Sequence, residues 1–359
     1  RWENDIKGRG GRVTAGDQLE PQYFPIVISK AGIVTISLHF TIGNQGQLFK
    51  RTIGFIGGFR YGNSIQYDPN SELNRTVTSY VDTNGIAQGD LTDQQFAKYS
   101  NGWSALINVA YKYSTNHSLS LLFMPNFSGT NNLRNGGSEN SGAVYKYEYA
   151  QSQFYEQRKQ MVYQLKSEHY LPGPKLKIEL NASYCKGNSN IPDFKNLNYF
   201  SDDNETYRFD KTLSDVFRNY RYLNENIFDS KLFAEFPLGD KAGLARKIKF
   251  GGAYQNIDKK YDQYNYFLQF NQGADVTFLN NDLDAFFDLS KFESAPMYSA
   301  GSTVPHESID LYYSRFDGPS NHTIGKSNII SGFAMLDYAI VPSLRFAGGL
   351  RVEQTDLYT

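Results

Sequence analysis

The stretch that decides the fold is residues 327–356, which read SNIISGFAMLDYAIVPSLRFAGGLRVEQTD. Its alternation predicts two strands joined by a very short turn at residues 341–343. Successive side chains leave a strand on opposite sides, so the second strand has one apolar and one polar face. The apolar face carries Leu344, Phe346, Gly348, Leu350 and Val352, and the polar face carries Arg345, Ala347, Gly349, Arg351 and Glu353. A soluble sheet over a core and a membrane barrel both show this pattern.

Composition excludes several classes of protein. The 359 residues carry a formal net charge of −1, which argues against a polyanionic partner such as nucleic acid. No run of about 18 apolar residues occurs, so no transmembrane helix is expected. The single cysteine, Cys185, excludes an internal disulfide and argues against a cysteine-based zinc site. Aromatic content is high, with 27 Tyr and 26 Phe.

Four further strand pairs precede the opening one, and their connections alternate in length. Short turns are predicted at residues 43–46, 114–117, 172–174, 238–246 and 341–343. Long polar connections are predicted at residues 62–100, 129–148, 187–224 and 258–326. Strand pairs joined in this way place every short turn at one end of the sheet and every long loop at the other. Bacterial outer-membrane barrels have this arrangement, with short periplasmic turns and long external loops.

The sequence therefore predicts an all-β, antiparallel transmembrane β-barrel in the bacterial outer membrane. Residues 1–31 are expected to be a loop or junction, and residues 32–359 a barrel segment of about ten strands with long external loops. Strands of about ten residues cross the bilayer at a tilt. Aromatic residues near strand ends suit interfacial girdles, as at Tyr111, Tyr113, Tyr184, Tyr254 and Tyr338. A β-sandwich or a propeller is the soluble alternative.

Several phrases of the sequence resemble the barrel of TonB-dependent outer-membrane receptors of the Bacteroidetes type. They are YEYAQSQFYEQRKQMVYQL at 147–165, LNASYCKGNSNIPDFKNLNYF at 180–200, DSKLFAEFPLG at 229–239, KIKFGGAYQNIDKKYDQYNYFLQF at 247–270 and the opening stretch from residue 331. The resemblance extends from about Gly32 to the last residue. It consists of strand and turn phrases and contains no catalytic motif.

The resemblance implies a plug domain inside a barrel of about 22 strands. It also implies import of a scarce ligand, such as a glycan, a peptide, a metal chelate or a cobalamin-like molecule, with energy from the TonB system. This sequence contains no recognisable plug or TonB box and ends on a strand, so it is expected to be a fragment of the larger plugged barrel. The partners implied are outer-membrane lipid, TonB through a plug domain not present in this sequence, and a surface lipoprotein acting as a lid.

Two sets of side chains are candidates for ligand contact. Aromatic residues of the predicted external loops offer rigid surfaces for sugars or peptides, or they pack the loops against one another. They are Phe194, Tyr199, Phe200, Tyr207, Tyr261, Tyr264 and Tyr266. Charged residues are predicted to face the lumen, where they contact plug or ligand, or form a solvated wall of paired charges. They are Lys177, Glu179, Arg345, Arg351 and Glu353.

The sequence predicts no catalytic site and no cofactor. The five histidines show no metal-ligand spacing. Acidic runs at residues 202–205 and at Asp282, Asp284 and Asp288 could bind calcium, although neither has the ligand spacing of a dedicated calcium loop. A passive porin-like channel is one alternative function. A barrel-embedded outer-membrane hydrolase is another, and it would need His169 at the outer rim.

Overall fold

The computed structural model describes residues 12–13, 35–73, 91–139, 144–239, 246–271, 273–293, 295–298, 305–308, 310–341 and 343–358. Almost all of these residues belong to one antiparallel sheet of fourteen strands, and two short strands form a separate hairpin. The predicted all-β, antiparallel class is confirmed. No helix among the described residues is long and apolar enough to cross a membrane.

The strands are numbered in chain order. They are β1 (Arg12–Val13), β2 (Ser37–Leu48), β3 (Arg51–Leu73), β4 (Leu91–Ser114), β5 (His117–Glu139), β6 (Tyr147–Leu171), β7 (Leu176–Ser201), β8 (Thr206–Arg208), β9 (Phe217–Pro237), β10 (Arg246–Phe270), β11 (Thr277–Leu279), β12 (Ala295–Tyr298), β13 (Pro305–Ser308), β14 (Leu311–Phe316), β15 (His322–Val341) and β16 (Leu344–Tyr358). One short α-helix, α1 (Leu283–Phe286), and 3₁₀ turns at Leu289–Phe292 and Pro319–Asn321 complete the elements.

Ten of these strands are long, and they are the ten of the five predicted pairs. They run in the order β2-β3-β4-β5-β6-β7-β9-β10-β15-β16, each antiparallel to the next. The first part of β10 pairs with β15 and its last part with β14. Strand β1 pairs with β14 through Arg12 opposite Ser314. The other residues of 1–31, predicted to be a loop or junction, lie outside the described residues.

The predicted strand lengths are wrong, and the predicted bounds of the long connections are too wide. Strand β6 has 25 residues and β7 has 26. The polar stretches continue as paired strands for much of their length, because β3 extends to Leu73 and β10 to Phe270. Aromatic residues occur on both faces of these extensions, so the alternation of apolar and polar residues that predicts a strand is lost although the backbone stays extended and paired.

Two of the five predicted short turns are where the sequence places them. Turns lie at Thr115 and Asn116 and at residues 172–175, as predicted. The predicted turn at 43–46 is wrong, because those residues lie within β2 and the chain turns at Phe49 and Lys50, both with positive φ. Residues 240–245 and Pro342, which belong to two other predicted turns, lie outside the described residues.

One face of the sheet carries a continuous set of exposed apolar side chains, here called the apolar belt. Cross-strand pairing keeps its members on one side, since Leu232 lies opposite Leu180 of β7 and Gly252 of β10. Leu232 is 53 % exposed. Its exposed members include Leu38, Phe40, Ile42, Phe55, Phe59, Ile107, Val109, Leu121, Leu232, Phe250, Leu350 and Val352.

The same face is covered at the end of the sheet that carries the long connections. Strands β9 and β10 pair without a register shift, so Tyr220 and Tyr266 lie on the same face as Leu232. Residues 202–216 and 273–293, with α1, pack over them as a layer that we call the cap. The buried core beneath the cap consists of Leu197, Tyr199, Tyr207, Phe209, Val216, Tyr220, Tyr266, Leu268, Phe278, Leu283, Phe286, Phe287, Phe292, Leu311 and Tyr313.

Candidate ligand-binding surface

The face opposite the apolar belt is polar and charged. Residues predicted to face the lumen share it, because Glu179 and Arg351 lie in one cross-strand row through Phe233, Gly251 and Phe333. Lys177 lies two residues before Glu179 on the same face, and its Nζ is 3.7 Å from the Glu179 carboxylate. The predicted common face of Lys177, Glu179, Arg345, Arg351 and Glu353 is therefore present in the sheet.

Several charged side chains of this polar face are paired with one another. Lys166 Nζ lies 2.7 Å from Glu168, and Lys247 Nζ lies 3.0 Å from Glu235. Arg345 pairs with Asp337, and Arg351 with Glu353. The pairs Lys166–Glu168 and Arg351–Glu353 are exposed on both sides and contribute little stability, typically about 0–1 kcal/mol each, whereas Asp337 is buried. The arrangement is that of a solvated wall of compensated charges, and it singles out no ligand position.

Further along the polar face, five phenylalanines form an uninterrupted row across β6, β7, β9, β10 and β14. Neighbouring ring centroids are 5.5, 5.3, 6.0 and 6.3 Å apart. Three of the four contacts are edge-to-face, the arrangement that ring quadrupoles favour. This phenylalanine row consists of Phe154, Phe194, Phe217, Phe267 and Phe316.

A bulge in β7 places Phe194 in the row. Ile191 lies opposite Arg221, but Phe194 lies opposite Asn219, so β7 has one residue more than β9 between these pairs. Because side chains alternate, the extra residue moves Phe194 onto the polar face and Tyr199 onto the face with the cap. Pro192 lies within the bulge, where a strand tolerates a residue that cannot donate a ladder hydrogen bond.

Hydrogen-bonding side chains lie directly beside the phenylalanine row. Arg221 Nε donates to Asn219 Oδ1 at 2.6 Å, and its guanidinium lies 5.7 Å from the centre of the Phe194 ring. Asn219 hydrogen-bonds to Asn265, which accepts from Gln263 Nε2 at 2.9 Å. Tyr261 donates to Gln263. The surface thus combines an apolar row of rings with amide and guanidinium groups in a fixed order.

The aromatic residues predicted to bind ligand divide between the two faces. Phe194 and Tyr261 are half-buried on the polar face, and their ligand contact stays a prediction. Tyr199, Tyr207 and Tyr266 are 1 %, 7 % and 1 % exposed in the core beneath the cap.

The remaining two members of that set are also packed against protein. Tyr264 packs against the core beneath the cap, and Phe200 is buried against Tyr145, with ring centroids 4.9 Å apart. All seven residues lie on strands, and their predicted placement on loops is wrong. The alternative interpretation, in which these aromatic residues pack connecting segments together, describes five of the seven.

The carboxylates of the acidic runs are engaged by the chain itself. Asp203 Oδ1 accepts from the amides of Glu205 and Thr206 at 2.9 and 2.7 Å, and these hydrogen bonds lower the pKa of Asp203 to about 2. Asp282 caps α1 by accepting from the amide of Ala285. Among the described residues, no group of three or more His, Cys, Asp and Glu side chains is placed to hold a metal ion. Calcium binding by residues 202–205 or 282–288 stays a prediction.

His169, the residue named for the hydrolase alternative, lies near the end of β6 at the short turns. A hydrolase of that kind needs the histidine at the opposite end, where the long connections lie. The hydrogen-bond partners of the ring are Ser167, Tyr113 and His117. The position of His169 therefore differs from the one that the hydrolase alternative requires.

Comparison of the chain with protein-family models, with curated proteins and with solved structures gave no match. The resemblance to TonB-dependent receptors accordingly stays a prediction from the sequence.

Proposed function

We propose that the chain forms wall strands of an outer-membrane β-barrel that receives and actively imports a scarce ligand. The observation that carries this proposal is that the cap covers one end of a face of the sheet and leaves the rest of that face exposed. Near Tyr220 and Tyr266 the face is buried by the cap, whereas near Leu232 it is half exposed and contiguous with apolar side chains on neighbouring strands. Soluble proteins rarely expose such a belt, and lipid would cover it.

The dimensions of the belt suit a bilayer. On β9 it runs from Phe228 to Phe236, roughly 26 Å of strand at about 3.3 Å per residue. At a strand tilt of about 40° this spans about 20 Å, comparable with the height of about 25 Å of the apolar band of outer-membrane barrels. Tyr184 and Tyr254 border the belt on the cap side, and Tyr338 borders it at the short turns, as in interfacial girdles.

The ends of the sheet support a larger barrel. Strands β2 and β16 each have one neighbour among the described residues. Unpaired strand edges are not stable in lipid, so both edges must be paired there, either with each other or with further strands. We propose that the sheet continues in a plugged barrel of about 22 strands, as the sequence resemblance implies.

The phenylalanine row favours a receptor over a passive channel. A water-filled pore needs a polar lining and has no use for an apolar row across five strands. Rings beside the guanidinium of Arg221 and the amide of Gln263 would hold a ligand with both apolar and polar groups, such as a glycan, a peptide or a chelate. Energy from TonB through a plug domain and a lipoprotein lid over the ligand belong to the same proposal.

The decisive experiment uses the complete protein in cells. It should fractionate with outer membranes and migrate differently on gels before and after heating in detergent. Cells that express it should take up one member of a panel of oligosaccharides, peptides, ferric chelates and cobalamin, and a protonophore should abolish that uptake. Uptake that survives the protonophore would instead establish the passive channel. Recovery as a soluble protein would refute the membrane proposal.

A further inference from the structure

Two histidines lie directly opposite each other on neighbouring strands at the short-turn end of the sheet. His117 begins β5, and its cross-strand partner on β6 is His169. Their Nδ1 atoms are 3.1 Å apart, and both rings are half-buried. The pair lies on the face of the apolar belt, outside the paired charges of the polar face.

The Nδ1 atom of His169 has more close partners than one ring nitrogen can serve. Besides His117, the hydroxyl of Tyr113 lies 3.2 Å from it. A neutral imidazole nitrogen carries either one proton or one lone pair, so it forms one good hydrogen bond. A cation between the two Nδ1 atoms would use both lone pairs and leave Tyr113 as a neighbouring oxygen.

The other nitrogen of His169 has the partner that a metal ligand needs. Its Nε2 lies 2.7 Å from the hydroxyl of Ser167. When Nε2–H donates to that hydroxyl, the proton resides on Nε2 and the Nδ1 lone pair is free. Metal-bound histidines are commonly oriented by a partner at the second nitrogen in this way.

We propose that His117 and His169 bind one divalent transition-metal ion through their Nδ1 atoms. Two nitrogens at about 2.0–2.1 Å from an ion are about 2.9 Å apart in a square plane and about 3.3 Å apart in a tetrahedron, and the separation of 3.1 Å lies between these values. The ion accepts lone pairs from two neutral rings, and water or the phenol of Tyr113 completes its coordination. With two imidazole ligands the affinity follows the order Cu²⁺ above Ni²⁺ and Zn²⁺.

The test uses the full protein in detergent, without a histidine tag and after removal of metals by a chelator. Titration with Ni²⁺, measured by calorimetry, should show one binding site per chain. His117→Gln and His169→Gln should each weaken binding at least tenfold. Ser167→Ala should weaken it about tenfold, as expected for a residue that orients a ligand. His39→Gln, which changes a histidine on the polar face, should leave the affinity unchanged.

Measurement on the unaltered protein keeps the proposal falsifiable if the variants fail to fold. One equivalent of Cu²⁺ should give an electron paramagnetic resonance spectrum with coupling to two imidazole nitrogens. A spectrum without nitrogen coupling, or equal Ni²⁺ affinity in the unaltered protein and in folded His117→Gln, would overturn the proposal. The metal site lies on the opposite face of the sheet from the phenylalanine row. The outcome of this test therefore does not depend on whether the protein transports a ligand.

Discussion

Arg218 and Asp193 form a bidentate ion pair that joins β9 to the bulge of β7. Arg218 Nε lies 3.0 Å from Asp193 Oδ1, and Nη2 lies 2.7 Å from Oδ2. The side chain of Arg218 is 8 % exposed and lies on the face covered by the cap. Since the bulge decides which aromatic residues face the cap, this pair connects the register of β7 to the packing of the core.

We expect Asp193→Ala to loosen the cap. Removing one partner of a buried pair leaves a charge without its carboxylate and costs about 3 to 5 kcal/mol. Amide hydrogen exchange should become faster in residues 202–216 and 273–293 and stay unchanged in β4 and β5. Glu353→Ala removes a partner of an exposed pair, and its cost should stay below about 1 kcal/mol. Unchanged exchange in Asp193→Ala would show that the pair does not hold the cap.

The tyrosines beneath the cap should make it sensitive to alkaline pH. Burial raises the pKa of both Tyr266 and Tyr313 to about 12. A pKa above the ordinary value of about 10 means that their contribution to stability is complete below pH 10 and is lost as the pH rises towards 12. Absorbance at 295 nm should show these phenols ionising together with opening of the cap. In Tyr313→Phe the opening should shift to higher pH, and an unshifted transition would exclude this linkage.

Strand pairing could be predicted from the sequence because the apolar belt alternates strictly. The hairpin of β15 and β16 shows this, since the side chains of Leu350 and Arg351 lie on opposite faces of the sheet, as expected. The extensions of the strands could not be found in this way. There Tyr and Phe occur on both faces, so alternation of apolar and polar residues disappears although the backbone remains extended.

Only part of the candidate site could be predicted from the sequence. Phe194 is among the residues proposed for ligand contact, but its grouping with the other four rings of the row is not predicted by the sequence. Their grouping depends on the one-residue bulge near Pro192, which exchanges the faces of every later residue in β7. A proline inside an otherwise regular strand was the one local signal of that bulge. The cap depends on contacts between distant segments, such as Phe209 with Phe286, which no local pattern contains.

Leu232→Lys should distinguish a lipid-facing belt from an exposed face in water. Leu232 is already half exposed, so in a soluble sheet the change should alter stability by no more than about 0.5 kcal/mol. In a bilayer, a lysine near the midplane costs about 2–4 kcal/mol. Urea-induced unfolding from lipid vesicles measures the difference. Gln164→Lys, on the polar face of β6, is the matched control and should be tolerated. Equal, small effects of both substitutions would contradict a membrane location.

The phenylalanine row should behave as a set of coupled rings. Phe194 and Phe217 meet edge to face at 5.3 Å, and pairs of this kind contribute about 0.5–1.5 kcal/mol beyond the area they bury. A double-mutant cycle with Phe194→Ala and Phe217→Ala should therefore give a coupling energy in that range, read from urea-induced unfolding. Phe194→Ala and Phe123→Ala, which change rings on opposite faces of the sheet, should be additive within about 0.5 kcal/mol.

The same variants connect the row to ligand reception. If the rings hold the ligand, Phe217→Ala should reduce uptake of the transported compound at low concentration more than at saturation, because affinity is lost while the transport cycle is intact. Phe123→Ala, in the apolar belt, should leave the concentration dependence unchanged. Coupling between Phe194 and Phe217 without any change in uptake would mean that the row stiffens the wall of the sheet and that the ligand is held elsewhere.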